Sequence, residues 1–570
     1  MRHLILPLLL AILPPPPARG QTPYFPLQPA WQSQALGKYG TGLGVADLNG
    51  DWWPDLVVAN GNDMRRQRLE VYYNRAGTFP TQPDWESADI DYLGHLALGD
   101  VNGDGWIDAA VSVFLGAAGF SAKGHVKLYL NDGKGTLGKN PAWRTTDSFY
   151  SFGCALGDAD ADGDLDLLVA TGEGYQNPPD LNRLYLNRQG SLSGTPDWKS
   201  AVQDHSMGGL FADVNADGWL DLVFAGWKSP STVYHNRGGG TFPTTPDWKN
   251  SDNSTSIMAA AGDLDGDGLP ELAFADNSQL GGSGRIKYYA NSAAGLGRTA
   301  AWVSNTVRYG SCVALADFDQ DGLLDIAGGG WWDKVTIYRN TGKGFAATPS
   351  WSSGTSSVLE KLVLRDTAFQ GLYLHDELFF GDGKRRVFTL RSIPVERIYA
   401  VRVDGRFLAA GQWCADDCTG WVSLAKAPQK HVRVYTVASH NPDLVASNWD
   451  SGKGNYLFRR APGVVMDPVY VLDWYFDPAT GMWPYVGLAR NLHQAPFQGT
   501  IEARCLDPDG RQVRLSAMKV NLAPGGLDLF FGWFPVDWNL RQGLYTIRLR
   551  ALTGGMVTGV HEHPIELLLP

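Results

Sequence analysis

The stretch Asp158-DADADGDLDLLVAT-Thr171 places five aspartates within nine residues, directly ahead of an apolar run. Carboxylates a few ångströms apart repel one another unless a positive charge sits among them. The stretch is one of a set. "DLNGDWWPDLVVAN" starts at Asp47, "DVNGDGWIDAAVSV" at Asp100, "DVNADGWLDLVFAG" at Asp213, "DLDGDGLPELAFAD" at Asp263 and "DFDQDGLLDIAGGG" at Asp317. With the Asp158 copy in its place, the intervals are 53, 58, 55, 50 and 54 residues. Such regularity means a repeat architecture and takes precedence over local structure assignment.

Two further markers recur in phase. Trp31, Trp85, Trp143, Trp198, Trp248, Trp302 and Trp351 stand in "PDWKS"-like motifs, and short strands end on Asn74, Asn131, Asn187, Asn236, Asn291 and Asn340. Between the markers lie β-rich runs and Gly-rich turns without helical periodicity. Each unit of about four strands has the size of a propeller blade.

Seven tryptophans against six acidic loops predict a seventh, altered blade. "VLEKLVLRD" ends at Asp366 like the strand before each loop, and the pattern resumes at "HNPDLVASNWDSGKGNYLFRR", His440 to Arg460. An insertion at the loop position of blade seven, with loss of its metal site, accounts for the gap. The competing arrangement closes blade seven locally through "LYLHDELFF" and "RRVFTL". The N-terminal "YFPLQPAW" matches "TFPTQPDW" before Trp85, so it is expected to supply the outermost strand of blade seven. Such closure removes exposed strand edges.

Within each loop, side-chain oxygens fall at positions 1, 3, 5 and 9. They are Asp47, Asn49, Asp51 and Asp55; Asp100, Asn102, Asp104 and Asp108; and Asp158, Asp160, Asp162 and Asp166. The later copies supply Asp213, Asn215, Asp217 and Asp221; Asp263, Asp265, Asp267 and Glu271; and Asp317, Asp319, Asp321 and Asp325. Position 6 is glycine in five of the six copies, as a tight turn requires. Position 7 varies, which suits a ligand offering only its carbonyl. Oxygen-only donors without His or Cys indicate Ca2+ at about six sites, one per blade in blades one to six. An EF-hand is excluded, because position 12 is apolar and lies in a strand.

The net charge of −11 discourages nucleic acid as a partner. The six loops take 21 of the 59 acidic residues, so the acidity is mostly ligand. "MRHLILPLLLAILPPPPARG" reads as a signal peptide over residues 1–20, and no later segment is apolar enough to span a membrane. Export to the extracellular space or cell envelope is expected. Cys414 and Cys418 could pair as a disulfide or form half of a zinc site, but no second Cys or His pair stands nearby, which favours a disulfide or neither; Cys154, Cys312 and Cys505 fit as small buried residues.

These loops, with the "DLVVA"-type strand after them and "GCALGD" or "GSCVALAD" before them, resemble the FG-GAP/VCBS repeats of integrin-α-like propellers. The resemblance covers about residues 22–366 and 441–463. It implies a calcium-stabilised seven-bladed propeller for extracellular binding, with the metal loops on the face away from the ligand.

The expected fold is therefore all-β. Residues 21–366 hold blades one to six and the start of blade seven, 367–440 a β-rich insertion, and 441–463 the completion of blade seven. Turn signals about every ten residues over 464–570 suggest an immunoglobulin-like β-sandwich.

No nucleophile elbow or phosphate loop is present. "HEH" at His561–His563 makes at most a partial metal site, and Asp366, Asp376 and Glu377 are lone acids. Phe114, Trp227, Trp331 and Trp449 stand six residues beyond the position-9 acid. They are candidates for a ligand-binding face or for packing between blades. The function expected is a secreted binding or adhesion module for glycan or protein. The alternative is a polysaccharide lyase or hydrolase on the same scaffold.

Overall fold

The strand that follows each acidic loop is apolar on both faces, because blades stack on either side of it. Asp55–Asn60, Asp221–Gly226 and Glu271–Asp276 are buried throughout, as is Asp443–Asn448, which has no acidic loop before it. In the computed structural model, residues 25–567 are described, apart from 253, 320, 369–371, 392, 410, 440–441, 460–463, 472–481, 492–496, 507–511, 523–526, 536–542 and 554–555. The signal-peptide segment lies outside the described residues.

The first sheet takes its four strands in chain order: Gly40–Ala46, Asp55–Asn60, Leu69–Tyr72 and Trp85–Glu86. Five more antiparallel sheets repeat this order and end on the strands beginning at Trp143, Trp198, Trp248, Trp302 and Trp351. A further sheet is assembled from distant parts. Leu359–Arg365 pairs with Asp443–Asn448, that strand with Tyr456–Phe458, and the last with the N-terminal Trp31–Gln32. "LYLHDELFF" is not part of it: Leu372–Phe380 pairs with His431–Ser439 in a separate sheet.

The first strands of neighbouring sheets pack side by side all the way round. Leu359–Arg365 packs against Tyr309–Ala316 on one side and against Gly40–Ala46 on the other.

Each sequence marker proves to be a contact between sheets. The tryptophan of one sheet meets, edge to ring, an aromatic of the next. Trp85 packs on Tyr129, Trp143 on Tyr185, Trp198 on Tyr234, Trp248 on Tyr289 and Trp302 on Tyr338. Trp351 on Phe458 and Trp31 on Tyr72 close the sequence. The strand-ending asparagine reaches back to the preceding loop. Asn131 Nδ2 donates to Leu48 O, Asn187 to Val101 O, Asn236 to Ala159 O, Asn291 to Val214 O and Asn340 to Leu264 O, at 2.6–3.0 Å. Asn74 does the same to Thr367 O at 2.8 Å, beside the point where the insertion begins.

The insertion forms two sheets. One orders Leu372–Phe380, His431–Ser439, Arg397–Val403 and Arg406–Phe407, and the other orders Val387–Thr389, Trp421–Leu424 and Trp413–Ala415. Towards the C-terminus, a sheet of Val464–Val471, Met482–Asn491 and Leu527–Pro535 accompanies one of Gln512–Leu522, Phe497–Leu506, Gly543–Thr553 and Met556–Leu567. The side chains of His561 and His563 lie outside the described residues.

The asparagine stitch is testable. Asn187→Ala removes donors to two buried carbonyls, Val101 O and Leu165 O. It should destabilise the protein by about 2 kcal/mol or more, read as a lower urea midpoint with an unchanged slope.

Candidate functional site

The acidic loops share one hydrogen-bond scheme. In the third, Asp158 accepts the backbone N–H groups of Asp162 and Gly163 at 3.0 and 3.1 Å, while Asp162 accepts that of Asp164 at 3.0 Å. In the first, Asp47 takes the N–H groups of Gly50, Asp51 and Trp52. These bonds curl the chain around its own carboxylates. The curl needs a left-handed residue at position 6, with φ of 86° at Gly218 and 92° at Gly322. Trp52 occupies that position with φ 77°, its ring covered by the Arg397 guanidinium at 4.7 Å.

Position 9 is the anchor. Asp166 is buried and accepts from Ala159 N at 2.7 Å with one oxygen and from Asn187 N at 2.7 Å with the other. Asp55, Asp108, Asp221, Glu271 and Asp325 repeat this double bond to loop and third strand. A carboxylate oxygen has a second lone pair, so these bonds leave capacity for a cation.

The donors converge. Ligand atoms of Asp158, Asp160 and Asp166 lie within 4.8 Å of one another, as do those of Asp263, Asp265 and Glu271, and those of Asp317, Asp319 and Asp325. In the loops from Asp47, Asp100 and Asp213, position 3 is an asparagine whose Nδ2 donates to the position-5 aspartate at 2.8–3.0 Å. Burial, reinforced by neighbouring acids, raises these carboxyls. Asp55, Asp213 and Glu271 are pushed up to about 7, Asp108, Asp158 and Asp160 to about 6, and Asp166 and Asp325 well above the usual range. Asp213 Oδ1 is buried without a hydrogen-bond partner. Hard, oxygen-only cages of this kind fit a divalent cation such as Ca2+.

The insertion lies against several of these loops. Arg397 Nη1 is 3.8 Å from Asp47 Oδ2, and Arg385 Nη2 is 4.0 Å from Asp213 Oδ2. Arg386 Nη1 donates to Ala161 O at 3.0 Å, and its guanidinium stands 5.5 Å from the Trp219 ring. In the strand set from Leu359, no acidic loop separates Arg365 from Asp443. There Asp443 is paired with Arg459 at 3.2 Å and bonded by the Thr367 hydroxyl.

Cys414 and Cys418 are both free. The Cys414 thiol turns to Asp158 Oδ2 at 3.4 Å and that of Cys418 to Arg365 at 3.5 Å, so no disulfide joins them. The lone acids near the insertion are engaged: Asp366 by Ser439 Oγ at 2.7 Å, Asp376 by Arg433 at 3.0 Å and Glu377 by Arg391 N at 3.1 Å.

The candidate aromatics divide. Phe114 and Trp227 are 1% exposed and Trp331 is 6% exposed, so their rings fill the space between sheets rather than a ligand face. Trp449 is half-buried. The most exposed aromatic of this cluster is Trp332, 57% exposed, one residue beyond the position expected. It stands edge-on to Trp331, Trp449 and Tyr309 at 6.0–6.4 Å, in the left-handed backbone region at φ 53°.

Beneath this cluster lies Glu360, fully buried. Its Oε1 accepts from Trp331 Nε1 at 2.9 Å and from Asn62 Nδ2 at 3.4 Å, while its Oε2 has no partner. Burial pushes this carboxyl up to about 8. A clue was present in the sequence. Glu360 is six residues before Asp366, where the other first strands carry Thr41, Gly94, Phe152, Met207, Ile257 and Ser311. Because Asp325–Trp331 runs away from its acidic loop, the cluster sits at the opposite strand end, about 20 Å away.

A family model for the FG-GAP-like repeat matches residues 47–111, 113–169, 213–274 and 263–328. Human integrin alpha-7 is 33% identical over 147 residues, 23% of this chain and 12% of that protein. Integrin alpha-3 of Cricetulus griseus is 33% identical over 109 residues, 17% of this chain and 10% of that protein. The chain thus spans only a small part of the length of these relatives. Among solved structures, a BBS1N chain from its complex with ARL6DN has a TM-score of 0.42 at 12% identity, covering 76% of this chain and 98% of that one.

The raised carboxyls set a pH signature. A folded pKa near 7, above the unfolded value near 4, stabilises the fold fully below about pH 4 and loses that contribution as pH rises through 7. In chelator, the melting temperature should fall between about pH 5 and 8. Added Ca2+ should restore it at pH 8 and do little at pH 5. A chelated protein with a flat profile and no response to Ca2+ would exclude cation-compensated loops.

Four matched repeats and the shared integrin-alpha segments make this chain an FG-GAP-repeat protein with an integrin-alpha-like β-propeller.

Proposed function

We propose that the protein is an exported, calcium-stabilised propeller of seven blades that binds an extracellular glycan or protein. The observation that carries this reading is the separation of the two strand ends. One end holds the acidic loops, and the other presents Trp332, Tyr309 and Trp449 over the buried Glu360. The residues at positions 1, 3, 5 and 9 would hold Ca2+, with the position-7 carbonyl completing each set. A bound ion supplies the positive charge that neutralises the crowded carboxylates and locks each loop to its third strand. The insertion then takes the loop position of blade seven, and the C-terminal pair of sheets serves as an immunoglobulin-like accessory unit. Among the described residues no helix is long and apolar enough to cross a membrane.

At the aromatic end, an exposed indole with an edge-on tyrosine offers a flat face for a sugar ring or an apolar side chain. Its left-handed backbone is the kind of strain that persists where the surroundings enforce it and where function uses it. Glycan-array and pull-down measurements test this directly. Trp332→Ala should weaken binding about tenfold or more, as expected for a central aromatic anchor, with an unchanged melting temperature. Trp227→Ala should instead destabilise the fold by about 3–5 kcal/mol. Unchanged binding in Trp332→Ala would remove this face from the reading. Polysaccharide cleavage abolished by Glu360→Gln would replace binding with catalysis.

A further inference from the structure

Several seams between neighbouring sheets enclose a basic side chain. Lys127, Arg183 and Lys287 each stand four residues before the asparagine that ends a third strand. Each pairs with an acid that follows the tryptophan of the preceding sheet. Lys127 is held by Asp89 and Asp91, Arg183 by Asp147 at 2.9 Å and Lys287 by Asp252 at 2.7 Å. The buried tyrosine two residues further on donates to the same acid: Tyr129 to Asp89, Tyr185 to Asp147 and Tyr289 to Asp252, at 2.6–2.8 Å. Where the strand position is Thr336, the base comes from the other side. Arg308, six residues beyond Trp302, donates to Thr336 Oγ1 at 3.0 Å and to the Tyr338 hydroxyl at 3.1 Å, and lies 3.4 Å from Asp333.

The seam between the third and fourth sheets departs from this pattern. Its strand position is Thr232, and six residues beyond Trp198 stands Asp204, as Asp91 stands beyond Trp85. Strand register makes the two acids equivalent. Asp204 pairs with Asp180 and Asp91 with Gln67, each four residues back from the partner of the tryptophan. Asp91 has Lys127, but Asp204 is 6% exposed and its Oδ2 has no hydrogen-bond partner. Asp180 is taken up by Lys123 and Arg183. The charge of the exposed Lys249 reaches Asp204, yet among the described residues no basic group pairs with it, and burial raises its carboxyl. Tyr234, fully buried, lies in the field of Asp204 and beside the hydroxyls of Ser200 and Thr232.

A buried carboxylate without a counter-charge is costly, and the sibling seams meet that demand with an ammonium or a guanidinium. One carboxylate among hydroxyls calls for a single positive charge with oxygen ligation. A divalent ion would leave the seam with an excess charge. Potassium and ammonium ions are close in size, so either matches what a lysine head supplies elsewhere.

We propose that the seam between the third and fourth sheets binds a monovalent cation of potassium or ammonium size, with Asp204 as its anionic ligand and Tyr234 beside it. The ion takes the part played by Lys127 and Lys287 in their seams and fastens Trp198–Asp204 to Thr232–Tyr234. Asp204 leads into the first strand Ser206–Ala212, so the site lies at the strand end away from the acidic loops.

The test follows the melting temperature of the full chain at neutral pH in constant excess Ca2+. Potassium, ammonium and tetramethylammonium chlorides are compared at equal ionic strength. Wild type should melt about 2 °C or more higher in potassium or ammonium, with a saturating response, because tetramethylammonium is too large to enter the seam. Asp204→Asn should lose this difference. Thr232→Lys, which places an ammonium at the strand position of Lys127 and Lys287, should also lose it and should melt in tetramethylammonium at least as high as wild type does in potassium. If Thr232→Lys fails to fold, Asp204→Asn decides. A wild type that melts alike in all three salts, or an Asp204→Asn variant that keeps the potassium effect, overturns the site.

Discussion

Six buried acids at position 9, each holding a backbone N–H of its own loop and another of the third strand, set the constraint on which the ring depends. They fix the hairpin between first and second strands and register the third against it. The adjacent asparagine side chain then binds the preceding sheet, so one short segment joins loop, blade and neighbour. The same segment concentrates negative charge away from solvent, which raises the carboxyls and makes the loops dependent on a counter-charge.

That counter-charge comes from more than one source. At the loops from Asp47 and Asp213 the insertion brings arginines to within 3.8 and 4.0 Å of a carboxylate oxygen. At Asp443, where the chain detours into the insertion instead of forming a loop, Arg459 is the partner. The detour thus brings small sheets of residues 372–439 against the neighbouring acidic loops. The opposite strand end is relieved of this electrostatic duty, and it carries the exposed aromatics and the buried Glu360.

Much of the architecture was legible from spacing. The acidic loops and the asparagines recur in phase because each mediates the same contact in six sheets, and the tryptophans do so in these and in the sheet from Leu359. The family match to four segments of the repeat region rests on that periodicity. The aromatic face was less legible. Sequence register located the strand ends but could not tell which of Trp331 and Trp332 turns outward. That choice follows from the local left-handed backbone at Trp332 and from the cover that Trp449 and Glu360 give to Trp331.

The sequence by itself determined the repeat, the donor set of each loop and the place where the pattern breaks, since these are properties of local residue order. Only the tertiary structure decided what the break does. It pairs Leu359–Arg365 with a strand nearly eighty residues later, brings Trp31–Gln32 to the edge of that sheet and turns Cys414 onto Asp158 rather than towards Cys418. Such contacts join residues far apart in the chain, and no local period records them.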